Sequence, residues 1–298
     1  MDVTFIVNMR AGNYKGRRMW HYIQKQLIIP FTVHETKYQG HARDLVQQIA
    51  LYEGKQLVII IGGDGTMHEA VNGAKYCSNV ILGYVRAGSG NDFARTFTFF
   101  KDAQAIEHYV LGAGTTVVDC GSIRFNGNES KNFINNFGIG FDGYVSRLAN
   151  ESSIKKVFNK VGLGKLSYAY FVALALIQFK PFTLKIEQRE FKNVWFATVS
   201  NQPYFGGGMN LSPTSKVDDG ELEVTIVNNL PRLKFLLLFL TVFAAKHTKY
   251  KAVTQFSVKD TILTVDKLVP LHTDGEHNML TERIVHCTVE PQSITIAK

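Results

Sequence analysis

Cysteine is scarce in this sequence. Only three cysteines occur, Cys77, Cys120 and Cys287, and neither Cys77 nor Cys120 has a metal-ligand spacing with any neighbour. A sparse, odd number of cysteines argues against a disulfide framework and favours reduced thiols in the cytosol. The histidines are scattered without a ligand spacing as well, so we predict no zinc site.

Long apolar runs and a leader segment are also lacking. The longest run, 233–245, is interrupted by Lys234. It is shorter than the about 20 residues that a membrane-spanning helix needs. The N-terminus, MDVTFIVN, enters a strand pattern without the basic segment or cleavage site of a signal peptide. We therefore expect a cytoplasmic protein that does not span a bilayer.

Acidic side chains are outnumbered by basic ones in a chain of otherwise globular composition. Of the 298 residues, 45% are hydrophobic and 19% are charged, which excludes a disordered chain. The formal net charge of +8 attracts anionic partners, whether nucleic acid, nucleotide phosphates or acidic lipid headgroups. No aromatic-plus-basic module of the nucleic-acid-binding kinds is found, so we predict no nucleic-acid partner.

Hydrophobic patterning divides the chain into two predicted domains, 1–116 and 117–298. The first alternates short β-type runs with helical stretches, which predicts an α/β domain with an open, mostly parallel sheet. The second contains mainly β-type segments, separated by turn dipeptides such as Asn126-Gly127 and Asp219-Gly220. This predicts a β-sandwich-like domain with inserted helices. Ligand clefts tend to form between domains.

Two apolar helical segments, 166–179 and 233–245, interrupt the β-rich half. Each fits a buried core helix, which is the commoner fate of such a run. Each also fits a lipid-facing element, and Lys246, Lys249 and Lys251 would then bring the second one to anionic headgroups. The sequence leaves this alternative open.

A glycine-rich loop, Gly62-Gly63-Asp64-Gly65-Thr66, follows the third predicted strand and opens a predicted helix. Unpaired N–H groups at a helix N-terminus bind phosphate, and glycine allows the close approach that this requires. The Asp64 carboxylate would repel phosphates unless a cation lay between them, which suggests Mg²⁺. A turn that merely needs glycine is the alternative.

A second glycine-rich loop, 87–93, follows the fourth predicted strand and also opens a predicted helix. Asn8 and Thr36 end the first two strands. Because ligands of open α/β sheets bind at the carboxyl edge, four such strand ends together predict a nucleotide site. The pattern is neither a Walker A loop nor a Rossmann fingerprint.

The motifs as a set resemble the diacylglycerol kinase catalytic family, which includes bacterial soluble lipid kinases and sphingosine kinases. The resemblance is carried by four segments in the family's order: IGGDGTMHEAVNG (61–73), AGSGNDFAR (87–95), YFGGGMNLSPTSKVDDGELEVTIV (204–227) and HTDGEHN (272–278). It implies ATP and Mg²⁺ as co-substrates, an N-terminal nucleotide domain, a C-terminal β-sandwich and an active site in the cleft between them.

The resemblance also implies roles for particular residues. The implied nucleotide-binding residues are Asn8, Thr36, Gly62, Gly63, Asp64, Gly65, Thr66, Met67, His68, Glu69, Ser89 and Asn91. The implied catalytic residues are Asp64, Asp274 and Glu276. Asp119 would join the network that holds the catalytic Mg²⁺, while Lys216, Asp219 and Glu221 would hold a structural Mg²⁺.

Some positions depart from the family pattern or allow a second interpretation. Arg86 stands where proline is usual, and Ser89 replaces threonine but keeps the hydroxyl. On an extended strand Asp274 and Glu276 would face one side, although a turn at Gly275 could alter that. Which of the two is the base is left open, and Asp219-Gly220 also fits a plain hairpin turn.

The sequence therefore predicts an ATP- and Mg²⁺-dependent lipid kinase that phosphorylates a hydroxyl of a diacylglycerol-like lipid to a phosphatidic-acid-like product. Contact with the membrane is expected to be peripheral and reversible. The alternatives are a dinucleotide (NAD) kinase, which would share only the Gly-Gly-Asp-Gly loop, and a nucleotide-binding regulator without transferase activity. The lipid acceptor and the oligomeric state, for which a homodimer is one option, are left open.

Overall fold

The computed structural model describes residues 1–112, 114–125, 130–151, 164–280 and 282–298. The predicted Asn126-Gly127 turn lies outside these residues, as does residue 113, which precedes the predicted domain boundary at 116/117.

The N-terminal half contains a four-stranded parallel sheet, as predicted. Its strands are Asp2–Val7, Thr32–Glu35, Gln56–Gly62 and Val80–Arg86. The strand that begins the chain lies between the second and third strands, and the fourth pairs with the third. Gln56–Gly62 is buried along its whole length. A central parallel strand covered on both faces requires this continuous apolar run.

Helices cover this sheet and connect its strands. In the N-terminal half they are Ala11–Gln24, His41–Ile49, Asp64–Ala74, Phe93–Thr96 and Ala103–Val110. The helix predicted after the first glycine loop is thus confirmed. The one predicted after the second loop is a single turn, because it ends at Thr96 just before an extended Phe97.

The C-terminal half is a β-sandwich-like unit with antiparallel pairing, as predicted. Its strands are Thr115–Arg124, Lys131–Phe133, Asn136–Gly140, Phe182–Ile186, Arg189–Ser200, Tyr204–Phe205, Met209–Asn210, Leu222–Asn228, Val253–Val258, Asp260–Val265, Pro270–Thr273, Glu276–Met279 and Ile284–Ala297. Its helices are Phe141–Glu151, Gly164–Gln178 and Arg232–Thr241, followed by the 3-10 turns Val242–Ala244 and His247–Lys249.

The last strand, Ile284–Ala297, connects the two halves. It pairs with Thr115–Arg124 along most of its length, and a register shift separates its two parts between Glu290 and Ile294. Beyond this irregularity Ile296 pairs with Leu82 of the parallel sheet. The side chains of Ile294 and Ile296 are buried in the core of the N-terminal half. The predicted boundary at 116/117 remains a prediction, but the end of the chain returns to the first half.

Each of the two apolar helices has both buried and exposed side chains among the residues that the structure describes, such as Phe171 and Ile177 in the first. Phe235 and Leu238 of the helix Arg232–Thr241 are buried against the C-terminal core, whereas Leu237 and Leu240 of the same helix are exposed. Within the described residues, no helix combines the length and apolarity needed to cross a membrane.

Candidate active site

A cleft of about 750 Å³ lies at the carboxyl edge of the parallel sheet. Its wall is formed by the exits of all four strands, at Asn8, Thr36, Gly63 and Gly88, and Glu276 of the C-terminal half also lines it. The residues thus come together as the strand order requires, because parallel strands present their carboxyl ends on one edge.

The first glycine loop lines this cleft with Gly63, Gly65 and Thr66. Gly63 is the N-cap of the helix Asp64–Ala74 and has extended backbone angles. The Asn8 side-chain amide donates a hydrogen bond to the Thr66 hydroxyl at 3.1 Å and so connects the first strand's exit to the loop. A Cβ at Gly62 would lie 2.6 Å from the Thr66 Cβ, which explains why this position is glycine. The unpaired N–H groups of the helix N-terminus can bind phosphate here.

The Asp64 side chain extends from the first glycine loop to the second. Its carboxylate accepts a hydrogen bond from the Phe93 backbone N–H at 3.1 Å. Burial raises the pKa of Asp64, and the nearby Asp92 carboxylate raises it further. Burial also raises the pKa of Asp92, whose carboxylate accepts a hydrogen bond from the Gly207 N–H at 2.8 Å. Two partly desolvated carboxylates at this edge favour the arrival of a cation.

The second glycine loop is stabilised from within. The Asn91 side-chain oxygen accepts hydrogen bonds from the Gly88 N–H at 3.0 Å and from the Tyr84 hydroxyl at 3.2 Å. Asn91 therefore shapes the loop rather than lining the cleft. Arg86, which departs from the family pattern, places its guanidinium 4.2 Å from the centre of the Phe99 ring, a cation–π contact at the loop's entrance.

The Asp274 side chain is buried at the turn between two strands. Its carboxylate accepts backbone hydrogen bonds from Ile134, Asn135 and Asn136, each at 2.9 Å. The Nδ1 of His68 lies 2.8 Å from the same carboxylate. These contacts leave Asp274 with no exposed side-chain surface. Asp274 thus holds the turn in place and does not face the cleft.

Glu276 is half-buried and faces the cleft. Its Oε1 accepts a hydrogen bond from the Gln39 side-chain amide at 3.3 Å. The residue also lines a second cavity of about 360 Å³, which lies beside the first and shares Gln39 and Glu69 with it. The turn therefore separates the two acidic side chains, as the sequence left open, because Asp274 and Gly275 both have a positive φ.

The pKa of His68 depends on its contact with Asp274 at this turn. Burial by itself lowers the pKa of His68, but the hydrogen bond and charge of Asp274, with the charges of Glu276 and Glu69, outweigh it and raise the pKa above its ordinary value. A raised pKa in the folded state means that the pair stabilises the fold fully below the unfolded-state pKa. That stabilisation is lost as pH rises through the folded-state pKa.

We therefore expect the thermal stability of the wild type relative to His68→Asn to be greatest near about pH 5.5 and to shrink toward about pH 9. Differential scanning calorimetry of both proteins across this range measures the effect. A difference in Tm that grows with pH would contradict the assigned direction, and a constant difference would show that the imidazole charge contributes nothing.

The predicted nucleotide residues divide into two groups. Those that line the cleft are Asn8, Thr36, Gly63, Gly65, Thr66 and Glu69. Those that lie behind its wall or at its edge are Gly62, Asp64, Met67, His68, Ser89 and Asn91. The Met67 side chain is wholly buried among core residues, so it packs beneath the loop in the hydrophobic core and does not reach the cleft.

Sequence reasoning missed several polar residues of the cleft wall, among them Arg10, Lys37 and Gln39. The available signal was position: each follows closely on the exit of the first or second strand. Arg10 and Lys37 supply two cationic groups that can bind phosphates, on a wall that also carries Glu35, Glu69 and Glu276.

The predicted metal residues lie away from the cleft wall. The buried Asp119 carboxylate accepts hydrogen bonds from the Gly220 and Gln292 N–H groups, each at 2.7 Å, and so anchors the loop 216–221. In that loop the Asp219 carboxylate accepts a hydrogen bond from the Glu221 N–H at 3.1 Å. Across the described ranges, no group of three or more His, Cys, Asp or Glu side chains is arranged to hold a metal ion.

Comparison with known proteins adds to this geometry. Residues 2–123 match the family described as the diacylglycerol kinase catalytic domain. Residues 136–298 match the YegS C-terminal NAD kinase beta sandwich-like domain. YtlR of Bacillus subtilis (strain 168), whose name describes it as a candidate lipid kinase, is 41% identical over 286 residues, covering 91% of this chain and 92% of YtlR. A diacylglycerol kinase of Mycobacterium tuberculosis is 28% identical over 232 residues, covering 76% and 72% of the two chains.

Solved structures show the same fold. A diacylglycerol kinase structure from Bacillus anthracis str. Sterne superposes with a TM-score of 0.68 at 19% identity, covering 99% of this chain and 96% of the other. An NAD kinase from Archaeoglobus fulgidus, solved with ATP, superposes with a TM-score of 0.53 at 9% identity, covering 100% and 94%. At these identities the likeness concerns the fold alone.

The two domain matches span nearly the whole chain, and the relative in Bacillus subtilis has substantial identity over most of it. The chain therefore belongs to the diacylglycerol kinase catalytic family and is a kinase, a phosphotransferase with an alcohol acceptor, for which the family implies ATP as co-substrate.

Proposed function

We propose that this kinase transfers the γ-phosphate of ATP to a hydroxyl of a diacylglycerol-like lipid, giving a phosphatidic-acid-like product. The position of Glu276 is the observation that carries this proposal. Its carboxylate lies on the wall of the cleft that contains the phosphate loop, and it also borders the adjoining smaller cavity. A base between a donor site and an acceptor site is what transfer to an alcohol requires.

The larger cleft suits the triphosphate. Gly63, Gly65 and Thr66 offer N–H groups and a hydroxyl at a helix N-terminus, and Arg10 and Lys37 line the same wall. Phosphoryl transfer depends mainly on positioning and on neutralising the phosphate oxygens, so these groups supply what the reaction needs from the protein.

The smaller cavity suits the acceptor's polar headgroup. All its lining residues are polar or glycine: Gln39, Gly40, Arg43, His68, Glu69, Asn72, Ser130, Lys131, Thr273 and Glu276. Such a lining favours hydroxyl and ester groups over acyl chains, which would stay outside. The acceptor oxygen would attack the γ-phosphorus, the bond to the bridging oxygen of ADP would break, and Glu276 would accept the hydroxyl proton.

The residues fit Mg²⁺ at two places. Asp64 is a partly buried carboxylate beside the phosphate loop, and burial together with the nearby Asp92 carboxylate raises its pKa. Beside the loop 216–221, burial raises the pKa of Glu223 in the strand Leu222–Asn228, and the Asp219 and Glu221 carboxylates of the loop raise it further. A hard divalent cation bound by carboxylate and carbonyl oxygens would relieve both arrangements. At Asp64 the ion would offset the charge of the transferring phosphate.

An exposed apolar surface supports reversible contact with an anionic membrane. Leu233, Leu237, Leu240 and Phe243, here called the apolar patch, have exposed fractions of 69%, 57%, 62% and 56%. The three leucines share one side of the helix Arg232–Thr241, opposite the buried Phe235, and Phe243 lies in the 3-10 turn that follows. The surrounding sequence 224–259 contains lysines and an arginine but no acidic residue. Apolar insertion with basic flanks is typical of interfacial helices.

Replacing Leu237 and Leu240 together by glutamine is expected to weaken binding to phosphatidylglycerol-containing vesicles by about tenfold or more, because less apolar surface enters the interface. Vesicle sedimentation measures this. The matched control is Leu51→Gln with Leu111→Gln, since these leucines are 84% and 86% exposed but lie in the N-terminal half. Equal binding by both double variants, or no preference of the wild type for anionic vesicles, would refute the membrane contact.

The reaction itself is tested with γ-labelled ATP, Mg²⁺ and mixed micelles that carry a panel of hydroxyl lipids, with NAD as a parallel acceptor. The expected result is label in a diacylglycerol-like lipid, lost when EDTA removes the metal. Label in NAD alone would replace the proposal with dinucleotide phosphorylation. Bound ATP without transfer to any member of the panel would refute the lipid class proposed.

A further inference from the structure

A buried contact joins the phosphate-loop helix to the turn that carries Glu276. We infer that His68 is a positioning residue, which acts through Asp274 to hold Glu276 at a fixed place relative to the phosphate loop. The inference deepens the proposed function and, for its effect on catalysis, rests on it.

On the N-terminal side, His68 is held in one orientation. It belongs to the helix Asp64–Ala74 and is only 8% exposed. Its Nε2 lies 3.3 Å from the Asn72 side-chain amide, which also donates to the His68 backbone carbonyl at 2.9 Å. Asn72 is held in turn, because Asn132 of the C-terminal half donates to its side-chain oxygen at 3.1 Å. The Nδ1 is thereby directed at Asp274.

On the C-terminal side, Asp274 is a rigid anchor. Three backbone N–H groups of 134–136 donate to its carboxylate, and its own N–H donates to the Asn136 carbonyl at 2.9 Å. A carboxylate with this many buried partners has little freedom to move. Its contact with His68 therefore fixes the position of the turn relative to the phosphate loop.

The resulting path between the two functional groups is short. Thr66 of the phosphate loop lies two residues before His68, and Glu276 lies two residues after Asp274. A shift of about 1 Å between reacting groups can cost on the order of 10²-fold in rate. Removing the His68 contact should therefore impair the transfer step more than the binding of ATP.

A purely structural role is the competing explanation, because a buried ion pair also affects folding. The charged groups that face His68 are Asp274, Glu69 and Glu276, and Arg43 and Lys131 line the same small cavity. The two explanations differ in what a neutral substitute achieves. Asparagine places an N–H donor the same number of bonds from Cβ as the histidine Nδ1, so it can keep the contact without the ring or the charge.

The experiment compares wild type, His68→Ala, His68→Asn and His247→Ala. His247 is also buried, and its Nε2 lies 2.9 Å from the Leu211 carbonyl, outside both cavities. We expect His68→Ala to lower kcat by about 10–100-fold with the KM for ATP changed by less than about twofold. We expect His68→Asn to recover most of kcat, and His247→Ala to lower Tm without altering kcat.

Two results would overturn the inference: an unchanged kcat in His68→Ala, or a loss that follows Tm and is not recovered by asparagine. If the wild type phosphorylates no lipid, the proposed function fails, and hydrogen exchange then decides the inference separately. Faster exchange in 131–137 and 271–276 of His68→Ala, restored in His68→Asn, would support it. Unchanged protection of both segments would refute it.

Discussion

Replacing Glu276 with glutamine is expected to lower kcat by about 10²–10⁴-fold, the usual contribution of a general base. Glutamine keeps the shape and can still accept the hydrogen bond from Gln39, but it cannot take the proton of the acceptor hydroxyl. The side chain is half-buried and has no other hydrogen bond that the structure describes, so folding should be unaffected. Initial rates with γ-labelled ATP and the preferred lipid measure kcat, and calorimetry measures ATP affinity, which should not change.

Two further variants make this result interpretable. Glu53→Gln removes an exposed carboxylate outside both cavities and should retain full activity. Asp274→Asn should instead lower Tm. In the wild type, backbone N–H groups donate to both oxygens of the Asp274 carboxylate, and in the variant one of these oxygens is replaced by an NH₂ group, which cannot accept. Normal turnover by Glu276→Gln would remove Glu276 from the mechanism, whatever Asp274→Asn does.

Replacing Gly88 with valine is expected to lower kcat/KM for ATP by about 10²-fold, since it separates the two glycine loops. A Cβ at Gly88 would lie 2.5 Å from the Gly63 Cα, and backbone cannot yield there as a flexible side chain can. The Gly63 N–H group and the helix N-terminus would then no longer face the phosphates correctly. Steady-state kinetics at varied ATP concentration measures the effect, which should appear mainly in KM.

The matched control for this variant is Gly114→Val. A Cβ added at Gly114 would meet no heavy atom within 4 Å, and this glycine has no positive φ and lies outside the cleft. The substitution should preserve both KM and Tm. Unchanged ATP kinetics in Gly88→Val would mean that the second loop does not support the nucleotide site.

Much of the site could be predicted because it depends on local patterns. Apolar strands that end in Asn8, Thr36, Gly63 and Gly88 specify a parallel sheet, and parallel strands bring those exits to one edge. Glycine at 62 and 63 allows close packing against the Thr66 side chain and the Gly88 backbone. These features involve neighbouring residues, so one sequence is enough to recognise them.

Other parts of the site could not be predicted because distant segments decide them. Asp274 and Glu276 look equivalent as an acidic pair, yet backbone groups of 134–136 bury one and leave the other in the cleft. His68 has no ligand spacing in the sequence, and its partner lies 206 residues away. The Asp119 carboxylate likewise binds the N–H groups of Gly220 and Gln292, which are more than 100 residues away in the sequence.

The sequence by itself determined the fold class, the two glycine loops and the family, because strand periodicity and turn chemistry act over short distances. Only the tertiary structure decided which carboxylate faces the cleft, which side of the helix Arg232–Thr241 is exposed, and that Ile294 and Ile296 return to the first core. Those features depend on contacts between residues far apart in the chain, and such contacts exist only after both halves have packed together.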